Sequence, residues 1–172
     1  YFMTESIKDK FTVKIAYEPR LEKDVHLAKP DLEAFIETEF EEIPEEFKEK
    51  VKENVRKQLN TIKAYLENPE RIKKVAEDIK NHFNENINGK FKAGIVAVSR
   101  KSCVMYKREL DKYLPKEYSE VVMTFGNGDE KIIADYLAEL NDKHKGKDID
   151  DIRKDTVEKF KEEDLPKILI VT

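Results

Sequence analysis

Ser99 and Arg100 are the residues whose types and setting best suit chemistry. They stand where an apolar run, residues 91–98, hands over to a helical pattern that also carries Lys101 and Ser102. In parallel α/β sheets ligands bind at this edge, because the strand carboxyl ends open onto helix N-termini. Free backbone N–H groups there favour anions, and a hydroxyl beside a guanidinium suits a phosphodiester. Gly126-Asn127-Gly128, after the next apolar run, would lie on the same edge. The plainer reading makes Ser99 an N-cap and Arg100 a solvated charge.

Little else in the sequence has the spacing of a reaction centre. There is no G-x-x-x-x-G-K-[ST] phosphate loop, no G-x-G-x-x-G, no H-E-x-x-H and no G-x-S-x-G. His26, His82 and His144 are far apart and read as surface or packing residues. The acidic run Glu37, Glu39, Glu41 and Glu42 lacks metal-ligand spacing and reads as solvated surface. Cys103, the single cysteine, excludes an internal disulfide and a Cys-rich zinc site. It reads as a small buried hydrophobe, a usage that suits a reducing cytosol.

The 172 residues are 41% charged and 39% apolar, and the apolar ones fall in periodic stripes that a disordered chain would lack. A formal net charge of −4 gives the whole molecule no basic field, so any contact with DNA must be local. No apolar run approaches the roughly 20 residues needed to cross a bilayer, nothing resembles a signal peptide, and the expected location is cytoplasmic.

The elements that must position Ser99 and Arg100 follow from periodicity. Residues 11–18 alternate as a strand, and 31–86 read as helix. Pro44 suits an early helical position, followed by a stripe of Phe47, Val51, Val55, Leu59, Ile62 and Leu66. Asn68-Pro69 is an N-cap with a first-turn proline, and the next helix carries Ile72, Val75, Ile79 and Phe83 on one face. The two helices suggest an antiparallel hairpin, expected to sit outside the sheet as a cap or appendage.

After the Asn88-Gly89 turn the texture becomes strand, helix, strand, helix, helix, strand. The strands are 91–98, 119–124 and 167–171. Helical faces are formed by Cys103, Tyr106, Leu110 and Tyr113, by Ile133, Tyr136, Leu137 and Leu140, and by Ile152, Thr156 and Phe160. Leu114-Pro115 and Pro166 stop helices, Asp148 caps one, and the Gly126–Asp129 loop supplies another cap. This alternation predicts an α/β fold, a parallel sheet flanked by helices. The final run Lys167-Ile168-Leu169-Ile170-Val171-Thr172 has the composition of a central strand buried on both faces. With no initiator methionine before Tyr1 and an apolar run at the end, the chain reads as an excised piece.

Three stretches resemble one family in the right order. Tyr1-Phe2, Glu5-Ser6-Ile7-Lys8-Asp9, Phe11-Thr12-Val13 and Tyr17-Glu18-Pro19-Arg20 resemble the exit from the first motor lobe of the R subunits of type I restriction enzymes. Lys92-Ala93-Gly94-Ile95-Val96-Ala97-Val98-Ser99-Arg100-Lys101 is similar to that family's motif IV region, and 167–172 to the strand before motif V.

The resemblance implies a parent that is an ATP-dependent superfamily 2 helicase-type translocase and endonuclease. Such a parent uses ATP and Mg, acts on double-stranded DNA, and works with modification and specificity subunits. This chain would then comprise an inter-lobe strand and connection (1–30), a helical insertion (31–88) and a partial second RecA-like lobe (89–172) truncated before motif V. Ser99 and Arg100 take the DNA-facing motif IV position. With no phosphate loop, the chain itself is expected to hold no cofactor or metal, to hydrolyse no ATP and to bind DNA weakly. Two other readings remain open at this point: a lobe of another superfamily 2 remodelling enzyme, and a non-enzymatic helical interaction module.

Overall fold

Asn68 and Pro69 begin the first helix by the expected chemistry. In this computed structural model, which describes residues 5, 8, 9 and 62–172, Asn68 Oδ1 accepts from the N–H groups of Glu70 (2.9 Å) and Arg71 (3.2 Å). Pro69 follows in the first turn, where a missing N–H costs nothing. Helix α1 spans Pro69–His82 and continues through a π-helical turn, Phe83–Ile87. Gly89, at φ +79°, then makes a left-handed turn that a residue with a Cβ rarely adopts.

The rest is β1 (Ala93–Val96), α2 (Arg100–Leu110), a 3-10 turn (Lys116–Tyr118), β2 (Ser119–Val122), α3 (Lys131–Lys143), α4 (Ile149–Glu162) and β3 (Ile168–Val171). The three strands form a parallel sheet in the order β1-β3-β2, with Ala93 and Ser119 both opposite Ile168. Asp148 caps α4 through a 2.9 Å bond from Asp150 N–H. Helix α2 ends at Leu110, earlier than Leu114-Pro115.

The pleat divides the sheet into two unlike faces. Ser119 and Val121 on β2 and Ile168 and Ile170 on β3 are buried, with α2 packed against both strands. Their neighbours Glu120, Val122, Leu169 and Val171 are only half-buried. On the second face α4 contacts β2, whereas Val96 on β1 is 83% exposed. The last strand is therefore not fully buried on both faces: Leu169 and Val171 stay half-buried on the side where α4 contacts β2.

Helix α1 departs from the expectation that 31–88 stands outside the sheet. Ile72, Ala76 and Phe83 are buried in the same core as Val104, Leu110, Ile168 and Ile170. The buried face follows Ile72, Ala76 and Phe83, and Ala76 was absent from the expected stripe. Its small side chain lets α1 approach α2 closely. Tyr113 Oη donates to Glu77 at 3.1 Å, and Phe83 meets Tyr118 edge-on at 6.3 Å between centroids. The physical reason is its contact with α2: α1 packs against that helix and so enters the core that α2 shares with the sheet. Residues 62–66 are helical. The strand expected at 11–18 and the rest of the first helical stripe, Phe47 to Leu59, lie outside the described residues.

Candidate functional site

The β1–α2 junction lies at the carboxyl end of the parallel sheet, as its position after a strand requires. Ser99 is extended (φ −158°, ψ 164°) and caps α2, with its Oγ accepting from Ser102 N–H at 3.1 Å. Ser102 returns the bond: its Oγ accepts from Ser99 N–H at 2.9 Å and donates to Ser99 O at 2.8 Å. This reciprocal box satisfies the first turn and leaves Ser102 fully buried. Ser99 Oγ also donates to Glu67 Oε1, from the residue before α1's cap.

Arg100 is not a solvated charge. Its Nη1 donates to Thr124 O (3.1 Å) and to Asp129 Oδ2 (3.0 Å), while Nη2 lies 2.7 Å from Asp129 Oδ1. Asp129 Oδ2 also accepts from Gly126 N–H at 2.9 Å. The Gly126–Asp129 loop therefore does not cap α3 through Asp129. That helix starts at Lys131 behind Glu130 with no side-chain cap, because the aspartate is held by Arg100 and its own loop. Since β3 lies between β1 and β2, this clamp joins the ends of the two outer strands of the described sheet across the central one.

Lys101 pairs with Glu130 at 3.0 Å, and the hydrogen bond and charge of Glu130 hold its ammonium above the usual lysine range. Lys63 lies 3.8 Å from Glu67. Lys63, Arg100 and Lys101 thus face Glu67, Asp129 and Glu130, and the local charge is balanced. Sequence reasoning found the donors and missed all three carboxylates. Asp129 was visible only as a turn residue, since a partner 29 positions away leaves no periodic signal.

The remaining candidates stay apart from this cluster. Cys103 is buried, and burial pushes its thiol up to about 11, which disfavours the reactive thiolate. His82 is in the last turn of α1, and His144 follows α3. Burial, then neighbouring Lys143, keeps His144 below the usual histidine value. His26 and the acidic run 37–42 lie outside the described residues. Among the described residues no group of three His, Cys, Asp or Glu side chains could hold a metal ion, and no helix is long and apolar enough to cross a membrane.

No family model matches the chain, and no solved structure does. Two curated proteins of Methanocaldococcus jannaschii match it. One, with the provisional name type I restriction enzyme MjaVIIP endonuclease subunit, is 37% identical over 188 aligned positions, which take in 100% of this chain and 17% of the relative. The other, provisionally the MjaVIIIP endonuclease subunit, is 34% identical over 182 positions, 99% of this chain and 18% of the relative. Along its whole length the chain is thus similar to endonuclease subunits of type I restriction enzymes. It spans less than a fifth of the length of these relatives. The family named from the three motif-like stretches is thereby borne out for the chain as a whole.

Proposed function

We propose that this chain is a structural and DNA-facing part of an ATP-dependent translocating restriction subunit, contributing to one RecA-like lobe and to one side of its inter-lobe cleft. The observation that carries the reading is similarity to two restriction endonuclease subunits along the whole chain, with Arg100 fixed at the carboxyl edge of a parallel sheet. In this reading Ser99 orients the start of α2, and Arg100 meets the phosphate backbone of duplex DNA. In this reading residues 1–30 belong to the connection between lobes, and α1 packs into the core of the lobe itself.

ATP and Mg would be held by other parts of the parent. The sequence has no phosphate loop, and the described residues offer no metal cluster. Hydrolysis by such a motor needs both, together with an arginine from the facing lobe. The chain alone should therefore show no ATP hydrolysis. Modification and specificity subunits are the partners this reading implies.

The test is Arg100→Ala in the full-length subunit, assembled with its partner subunits. DNA-stimulated ATP hydrolysis and triplex displacement are measured side by side. Translocation should fall more than ATP binding does. Wild-type translocation in this variant would reduce Ser99 and Arg100 to a helix start and a structural clamp.

A further inference from the structure

We infer that Asp129 is a positioning residue for Arg100, orienting the guanidinium so that its side-on edge is presented to a phosphodiester oxygen pair. This rests on the DNA-facing reading of Arg100 given above. The argument is a donor count. Nη1 is used twice, by Thr124 O and Asp129 Oδ2, and Nη2 is used once, by Asp129 Oδ1. Among the described residues, the Nε–H and the second Nη2–H engage no protein acceptor. These two are adjacent and parallel on the guanidinium, the fork that binds carboxylate or phosphate through two bonds at once.

The orientation is fixed rather than incidental. The Asp129 side chain is 9% exposed and is itself tied to Gly126 N–H at 2.9 Å, so the carboxylate cannot follow Arg100 outwards. The Thr124 carbonyl holds the guanidinium plane through a further bond from Nη1. The Arg100 side chain remains 35% exposed, enough for its outer edge to reach a ligand. Loop and arginine are thus mutually dependent, and neither Lys nor Gln at position 100 could reproduce the fork.

Positioning and simple electrostatics predict opposite signs. Removing a carboxylate beside a phosphate contact should tighten DNA binding if charge alone matters. If Asp129 positions the fork, Asp129→Ala should weaken binding despite the lost negative charge. The expected loss is about three- to tenfold, the worth of roughly one hydrogen bond. The 172-residue chain is titrated with a short DNA duplex while the Arg Nε–H resonances are followed by nuclear magnetic resonance. Wild type, Arg100→Ala, Arg100→Lys, Asp129→Asn and Asp129→Ala are compared, with amide spectra confirming the fold.

The expected result is a duplex-dependent shift of the Arg100 Nε–H in wild type and weaker binding in all four variants. Combining Asp129→Ala with Arg100→Ala should give no additional loss. Unchanged or tighter binding in Asp129→Ala, alongside weakened binding in Arg100→Ala, overturns the positioning role and leaves the DNA reading standing. Unchanged binding in Arg100→Ala overturns the DNA reading itself. Should the Asp129 variants fail to fold, the wild-type titration still decides. An Arg100 Nε–H that does not move while duplex binds refutes the free fork.

Discussion

Replacing Ile72 by Ala tests whether α1 belongs to the core built by α2 and the sheet. Ile72 is fully buried, on a helix packed against α2, in one cluster with Leu110 and Ile168. The substitution deletes three carbons, worth about 0.8 kcal/mol each by transfer, or roughly 2.4 kcal/mol. A cavity term adds to this because the sheet and α2 cannot fully close the gap, giving about 3–4 kcal/mol in all. Against a typical stability of about 5–15 kcal/mol this is a large fraction. At this chain length it corresponds to a fall in Tm of about 6–16 °C. Urea unfolding followed by circular dichroism gives the free energy, and a thermal scan gives Tm. The exposed Val96, replaced by Thr, is the control and should change stability by less than about 0.5 kcal/mol. A loss below about 0.5 kcal/mol for Ile72→Ala, with an unchanged slope on urea, would mean that α1 stands apart from that core.

Cys103 should resist iodoacetamide at pH 8 in the folded chain and react rapidly once urea unfolds it; equal rates would contradict its burial and raised pKa. Lys107, 7% exposed, donates to Asp111 Oδ1 at 2.6 Å and to Lys116 O at 2.8 Å. Lys107→Met should therefore cost about 1–3 kcal/mol in urea unfolding by stranding both acceptors, and a neutral result would show that they find other partners. His144, held below its usual pKa by burial and then by Lys143, binds protons less readily when folded than when unfolded. Its contribution is thus present above about pH 6.5 and lost as the pH falls through the lowered folded value; His144→Gln should flatten the stability profile below pH 6.5, and an identical slope in wild type and variant would refute this.

Where chemistry is local, the sequence determined the outcome. Asn68-Pro69, Ser99 with Ser102, and Asp148 each begin a helix by bonds spanning two or three residues, so residue type and order suffice. The three apolar runs and the helices between them gave the parallel α/β class for the same reason, since period and order constrain the connections. What tertiary structure alone decided are the pairings between distant elements. The sheet order puts β3 between β1 and β2, and that placement brings Arg100 to Asp129 and Thr124 across its end. Glu67 and Glu130 join Ser99 and Lys101 by the same long-range route, so an edge that reads as basic in sequence is charge-balanced in space. The assignment of α1 was also beyond the sequence. An amphipathic stripe states that a helix must bury one face, but which surface it covers, here α2 and the core behind it, is set by the tertiary fold.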